Sequence, residues 1–290
     1  MKLLRIVRFP LTRIVIASGA LGGAWFGAQS LLKAAGIVSS FGDAAGSPHL
    51  YSISTLLSFL LAYLLYVRLV EWRPVRELAM KGALKELGAG TFAGAGLFTL
   101  SIASIWAAGC YQVTGVNGAL AAAPALSLAL GSGFAEEILI RGVIFRITEE
   151  GLGTWLALAI SSLLFGLAHA ANPHATVVSG LAVALEAGVL LAAAFILTRR
   201  LWLAIGMHFA WNFVQGGVFG VAVSGVELRG ILQGRLSGPP ILSGGQFGAE
   251  ASVFAVTLCL AAGVFLLFKS RQMGRFVAAP WMRGPGPSRG

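Results

Sequence analysis

The residues best suited to chemistry in this sequence are glutamates and histidines inside long apolar segments. Glu136 and Glu137 lie in one such segment, His169 ends the next, and His208 lies in a later one. A charge at the bilayer centre costs about 2.5–3.5 kcal/mol on insertion scales, so such residues usually serve a function. A carboxylate and an imidazole together activate water and return its proton to a leaving amine. This inventory predicts hydrolysis of a peptide bond by direct attack of water.

The spacing of these residues predicts pairs on helix faces. Glu137 and Arg141 are four residues apart, so they share a face and are expected to form an ion pair. Glu136 is rotated by about 100° from Glu137, which lets it point into a cavity. His208 and Asn212 are also four apart, and their N–H groups suit the stabilisation of an oxyanion.

The expected depths of these residues place them in one layer. Counted from the predicted cytoplasmic helix ends, Glu136, His169 and Asn212 lie about 13, 16 and 11 residues deep, at about 1.5 Å per residue. His208 is expected to lie slightly shallower. Glu186 lies in another apolar segment, and its role stays open between a buried structural acid and a residue that lines the site.

The composition predicts an all-α polytopic membrane protein with about eight transmembrane helices and an active site in the core of the bundle. Of the 290 residues, 57% are hydrophobic and 11% are charged, whereas soluble domains carry about 25% charged residues. Helices satisfy the backbone in lipid, and a run of about 20 apolar residues crosses the bilayer. The predicted spans are 14–36, 50–70, 90–110, 118–147, 153–172, 176–198, 201–221 and 251–268.

The distribution of basic residues predicts the orientation of these spans. Seventeen of the 21 lysines and arginines fall on one side of an eight-span arrangement, Lys33, Arg229 and Arg235 fall on the other, and Arg141 lies within a span. By the positive-inside rule, both termini are therefore expected in the cytoplasm. The net charge of +10 is attributed to the anionic membrane surface, with no nucleic acid partner. The glycine- and alanine-rich composition indicates a bacterial source, and hence the inner (cell) membrane.

We expect a single membrane domain over residues 1–290. Residues 71–88 are charged and amphipathic, which predicts a cytoplasmic interfacial helix. The tail 279–290 is rich in proline, glycine and arginine and is expected to be disordered. Small residues at 87–96 and 187–194 predict close helix packing. Cys110 and Cys259 lack CxxC spacing and receive no disulfide or metal role.

Three motifs at the polar residues resemble the CPBP family, which includes the Abi proteins and the CAAX prenyl endopeptidases of the Rce1 type. The family pattern is EExxxR on one helix, FxxxH on the next, and HxxxN or HxxxD on a later one. This sequence has EEILIR at Glu136–Arg141, FGLAH at Phe165–His169 and HFAWN at His208–Asn212. GGQFGAE at 244–250 is similar to the glycine-rich segment before the last helix in many bacterial members. The resemblance is strongest over 118–268, which it marks as a catalytic core.

The resemblance implies an intramembrane glutamic endopeptidase that uses no metal and no other cofactor. It assigns activation of water to Glu136, proton transfer to His169, and stabilisation of the oxyanion to His208 and Asn212. The substrate it implies is a membrane-associated peptide or protein, in bacterial maturation or sorting; the sequence does not indicate the oligomeric state. The residues expected to support this site by pairing or packing are Glu137, Arg141 and Phe165.

Several alternatives to this mechanism remain open. Zinc held by Glu136, His169 and His208 is chemically feasible, although no HExxH motif occurs. An aspartyl dyad is excluded, because Asp43 is the single aspartate, and the absence of GxSG argues against a rhomboid-type serine. Outside proteolysis, a proton-coupled transporter also buries such residues, and a non-catalytic scaffold retains them as a structural network.

Overall fold

The computed structural model describes residues 9–37 and 48–282. Helices make up 74% of the structure, which confirms the predicted all-α class. Among the described residues, two strands, β1 (Tyr111–Val116) and β2 (Leu232–Leu236), form one antiparallel pair. Of the predicted tail, residues 283–290 lie outside the described ranges, and Pro280–Met282 form a single 3-10 turn.

The helices follow the order of the predicted spans. Three of them pass without a break into π-helical stretches, at Ile138–Phe145, Ala184–Gly188 and Phe213–Val218. Each π-helical stretch is continuous with the α-helices beside it, and together they form one helical rod. The helix bounds are α1 Pro10–Ala34, α2 Pro48–Leu69, α3 Ala83–Ala107, α4 Ala123–Glu137, α5 Arg146–Leu152, α6 Thr154–Ala168, α7 Val177–Val183, α8 Val189–Thr198, α9 Trp202–Asn212, α10 Pro240–Ser243 and α11 Val253–Gln272.

Six of the helical rods in the described residues are long and apolar enough to cross a membrane. They are α1, α2, α3, α6, the α7–α8 rod and α11. Two further rods, α4–α5 and α9, occupy the positions of the fourth and seventh predicted spans and carry Glu136 and His208. The chain is thus a polytopic membrane protein, and its rods correspond one to one with the predicted spans.

Ion pairs gather at one end of the bundle, which we call the arginine-rich end. Glu71, after α2, pairs with Arg13 at the start of α1 and with Arg146 at the start of α5, the latter at 2.9 Å. Because the start of α1 meets the end of α2 and of the fourth rod, α1 runs opposite to both of these rods. The other pairs at this end include Arg73–Glu77, Arg146–Glu150, Arg199–Glu149 and Arg200–Glu86.

The segment 71–88 differs from the single interfacial helix expected from the sequence. It contains one 3-10 turn, Arg76–Leu78, and the first turns of α3, which begins at Ala83. Pro74 restricts the residue before it and has no N–H to donate, which disfavours a continuous helix. Gly82 then adopts a left-handed conformation (φ 79°) before α3 begins.

Glycines let α3 approach α9 closely, as the small-residue stretch at 87–96 predicted. A Cβ atom at Gly90 would clash with the backbone oxygen of Leu203, and one at Gly94 with that of Met207. Two helix backbones in direct contact permit dense packing without large side chains. This contact fixes α9 one residue before His208, so it also positions the candidate site.

Candidate active site

The motif residues converge from three rods at one point inside the bundle. Glu136 and Glu137 lie on the last turn of α4, where the rod becomes π-helical. His169 follows α6, where the α-helix passes into a 3-10 turn. His208 and Asn212 lie on α9, which also becomes π-helical directly after Asn212. Short π-helical stretches frequently occur at functional sites, because they redirect the side chains around them.

The Glu136 carboxylate lies between two imidazole rings. Its Oε2 atom is 4.0 Å from Nε2 of His169 and 3.9 Å from Nε2 of His208. The Glu136 side chain is 36% exposed, against 12% for His169 and 7% for His208. Oε2 itself is buried and has no hydrogen-bond partner among the described residues. A buried carboxylate oxygen without a partner is suited to hold a water molecule.

The second nitrogen of each ring determines where the ring protons lie. Nδ1 of His169 is 2.8 Å from the carbonyl oxygen of Phe165, and Nδ1 of His208 is 2.9 Å from Oε1 of Glu137. Carbonyl and ionised carboxylate oxygens only accept hydrogen bonds, so each Nδ1 carries a proton and donates it. In its neutral form, each ring therefore presents the Nε2 lone pair to Glu136. Oε2 of Glu136 and the two Nε2 atoms are then all hydrogen-bond acceptors. A water molecule between them, or a proton on one ring, is needed to supply a donor.

Glu137 and Arg141 form the ion pair that their spacing predicted. The distance from Nη1 of Arg141 to Oε1 of Glu137 is 2.7 Å, and both side chains are fully buried. Nη2 of Arg141 donates to the carbonyl oxygens of Ala187 and Gly188, at 3.0 and 3.2 Å. Since Glu137 also accepts from His208, this pair holds the ring of His208. Residue spacing does not predict this second partner of Glu137, because the contact depends on the relative rotation of two helices.

Phe165 packs against both histidines, as expected. Its ring centroid is 4.8 Å from that of His169 and 6.0 Å from that of His208. The guanidinium of Arg141 lies over the same ring, 4.6 Å from its centroid. Phe165 is buried, so it restrains the orientations of three polar groups at once.

The side-chain contacts change the predicted order of depth. Asn212 was expected level with Glu136, and His208 slightly shallower. Instead, Nδ2 of Asn212 donates to Oγ of Ser132 at 3.0 Å, one helical turn before Glu136. Because α4 and α9 run in opposite directions, the residue one turn before Asn212, His208, comes level with Glu136. Counting residues from helix ends ignored the tilt and offset of the helices.

Glu136 forms the floor of a cavity of about 510 Å³, which we call the Glu136 cavity. Its walls are mainly apolar and come from α1, α2, α4 and the side chains of Val226 and Leu228. Ser132 lines it as well, so the Asn212 amide lies near its wall. A cavity of this size with few convergent polar groups is typical of a site for a small molecule or a peptide side chain.

Glu186 lies on the other side of the histidines. Together with Glu250 it lines a second, small cavity of about 30 Å³ that also borders His169 and His208. Glu250 accepts hydrogen bonds from the Gln215 amide and the backbone N–H of Ser224. Burial raises the pKa of Glu250 to about 7, although these hydrogen bonds oppose the rise. The sequence pattern does not predict Glu250 near the site, because its glycine-rich segment has no helical periodicity.

The described residues contain no group of three or more histidine, cysteine, aspartate or glutamate side chains arranged to hold a metal ion. Glu136, His169 and His208 are of the right chemical type for zinc, and their metal dependence stays a prediction. The two cysteines, Cys110 and Cys259, are buried and unpaired with each other.

Comparison with known families identifies this region of the chain. Residues 118–214 match the model of the Rce1-like family, described as type II CAAX prenyl endopeptidase Rce1-like. That range contains all three motifs, from Glu136 to Asn212. Comparisons with curated proteins and with solved structures give no match. The match over residues 118–214 is consistent with the CPBP/CAAX protease family that the three motifs resemble.

Proposed function

We propose that this protein is an intramembrane endopeptidase that hydrolyses a peptide bond with water activated by glutamate and histidine. The observation that carries this proposal is the Glu136 carboxylate on the floor of a cavity, about 4 Å from Nε2 of both His169 and His208. The match of residues 118–214 to a protease family supports the same reaction. The substrate is a membrane-associated peptide or protein, and the setting is maturation or sorting at the bacterial inner membrane.

The proposed reaction begins with a water molecule between Glu136 and His169. As its oxygen attacks the scissile carbonyl, one proton passes to Glu136, and His169 assists its transfer to the leaving amine. The products are a new carboxyl group and a new amine. No cofactor takes part in these steps.

In the proposed reaction, Asn212 and His208 bind the oxyanion of the tetrahedral intermediate. The Asn212 amide is a donor in any protonation state, whereas Nε2 of His208 donates only from the imidazolium form. The Glu137 carboxylate, 2.9 Å from Nδ1, favours the positive charge of that form. Donors fixed before the reaction stabilise developing charge strongly in a site that excludes water.

The test is cleavage of fluorogenic peptides with apolar flanks by the purified protein in detergent. We expect the wild-type protein to cleave them and Glu136→Gln to lower kcat at least about 100-fold, in line with the 10²–10⁴-fold effect of a general base. Glu227→Gln, which alters an exposed acid in the loop after the π-helical stretch Phe213–Val218, serves as the matched control and should retain activity. Equal cleavage by wild type and Glu136→Gln would overturn the proposal and favour a scaffold.

Metal dependence separates the proposed mechanism from zinc catalysis. We expect activity to survive dialysis against a chelator, and elemental analysis of the active protein to find less than stoichiometric zinc. Loss of activity on chelation, restored by added Zn²⁺, would instead assign Glu136, His169 and His208 to a metal.

A further inference from the structure

The Glu136 cavity extends away from the arginine-rich end. On α1, Trp25 lines the cavity, whereas Arg13 belongs to the arginine-rich end, about 18 Å away along the helix at 1.5 Å per residue. On α4, the residues that line the cavity run from Pro124 in the first turn to Glu136 in the last. The same rod reaches the arginine-rich end later, at Arg146. Val226, which lines the cavity and follows the α9 rod at the opposite end of the bundle, is exposed, so the cavity opens toward that end.

Packed side chains close the route from Glu136 to the arginine-rich end within the described part of the chain. Tyr63, Ile138 and Val143 are 0% exposed and belong to one apolar cluster. The Tyr63 hydroxyl donates to the carbonyl oxygen of Gly142 at 3.1 Å, which ties α2 to the fourth rod. Interiors packed at this density admit neither water nor a peptide chain. The exposure of Glu136 therefore arises from the cavity.

We propose that the site takes its substrate from the non-cytoplasmic face of the membrane. This inference rests on the proposed function and on the positive-inside rule, which puts the arginine-rich end in the cytoplasm. A mouth at the other end admits peptide segments that have already crossed the bilayer, or that are anchored in its outer leaflet. The substrate class is thus an exported or membrane-anchored peptide whose scissile bond lies close to the outer surface.

The cavity walls define which residues flank the scissile bond. Trp25, Phe59, Leu128 and Leu228 supply much of the apolar wall, and Glu136 is the only charged residue among the described lining residues. Apolar side chains gain free energy by leaving water here. A carboxylate would lose hydration and face the charge of Glu136. Peptides with leucine or phenylalanine beside the scissile bond should therefore be cleaved at least about tenfold faster than those with aspartate.

Cysteine labelling tests the orientation on which the inference depends. Val226, at the cavity, and Arg76, at the arginine-rich end, are both exposed. The native Cys110 and Cys259 are buried, so labelling reports the introduced thiol, with the wild-type protein as the blank. In intact cells, a membrane-impermeant maleimide should label Val226→Cys and should label Arg76→Cys only after permeabilisation. The reverse pattern would overturn the inference.

Cleavage by sealed proteoliposomes tests the side of access directly. The protein is reconstituted in vesicles whose orientation is measured by maleimide labelling of Arg76→Cys, and the fluorogenic peptide is added outside. We expect cleavage to scale with the fraction of molecules whose arginine-rich end faces the lumen. Scaling with the opposite fraction would overturn the inference while leaving the proposed function intact. Absence of cleavage in detergent as well would reject the proposed function itself.

Discussion

At the scale of single residues, the unusual group is the buried Glu137 carboxylate, because one oxygen serves two partners. Oε1 is 2.7 Å from Arg141 and 2.9 Å from Nδ1 of His208. Arg141 neutralises the Glu137 charge, which would otherwise be costly to bury. Glu137 in turn orients the ring of His208, a candidate catalytic residue. Stability and activity are therefore coupled through one atom.

Replacing Glu137 separates these two contributions. Glu137→Gln leaves the buried guanidinium of Arg141 without its counter-charge, and breaking a buried pair costs about 3–5 kcal/mol. We expect a lower Tm in detergent and at least about a tenfold loss of kcat.

The double variant Glu137→Gln, Arg141→Met provides the control for this prediction. It removes the uncompensated charge, so we expect Tm to recover in part while kcat stays low, since His208 still lacks its carboxylate partner. Recovery of kcat together with Tm would show that Glu137 acts only through stability.

At the scale of elements, the sequence predicted the rods well and their mutual rotation poorly. Apolar length and motif spacing placed Glu136, His169 and His208 on helices that do meet. The contact of His208 with Glu137 and the offset of Asn212 toward Ser132 depend on how two helices are turned and shifted. Periodicity within one helix holds no information about that relation. Glu250 was missed for a similar reason, since a loop is positioned by tertiary contacts.

Gly94 tests the contact between α3 and α9. An added Cβ would clash with the Met207 backbone, so Gly94→Ala should push α9 outward and displace His208. We expect lower Tm and at least about a tenfold loss of kcat, because small misplacements of catalytic groups cost up to about 100-fold.

Gly96→Ala on the same helix is the matched control. A Cβ atom there has nothing within 4 Å, and alanine favours a helix over glycine by up to about 1 kcal/mol. We expect unchanged kcat and equal or higher Tm. If both variants behaved alike, close packing at Gly94 would not be what positions His208.

At the scale of the whole molecule, the two ends of the bundle differ in the structures that close or open them. One end is closed by a network of ion pairs that joins α1, α2 and the fourth rod through Glu71. The other carries the two-stranded sheet and the mouth of the Glu136 cavity. The distribution of basic residues along the sequence predicted the first end. The sheet was not predicted, because β1 and β2 are short and far apart in sequence.

Glu71 is the centre of that network, and its titration should govern how the network responds to acid. Burial alone would raise the pKa of Glu71, but Arg146 and Arg13 outweigh it and lower the pKa from 4.5 to about 2. A depressed pKa means that the folded protein binds this proton less readily than the unfolded chain. The resulting stabilisation is fully present above pH 4.5 and is lost as pH falls toward about 2.

We therefore expect Glu71→Gln to lower the free energy of unfolding at pH 7 by on the order of 2 kcal/mol, discounted for solvent near the membrane surface. The Tm difference between wild type and Glu71→Gln, measured in detergent, should shrink as pH falls below about 4.5. Glu227→Gln, at an exposed position, should match wild type at every pH. A difference that stayed constant down to pH 3 would mean that Glu71 stabilises the bundle by packing rather than by its charge.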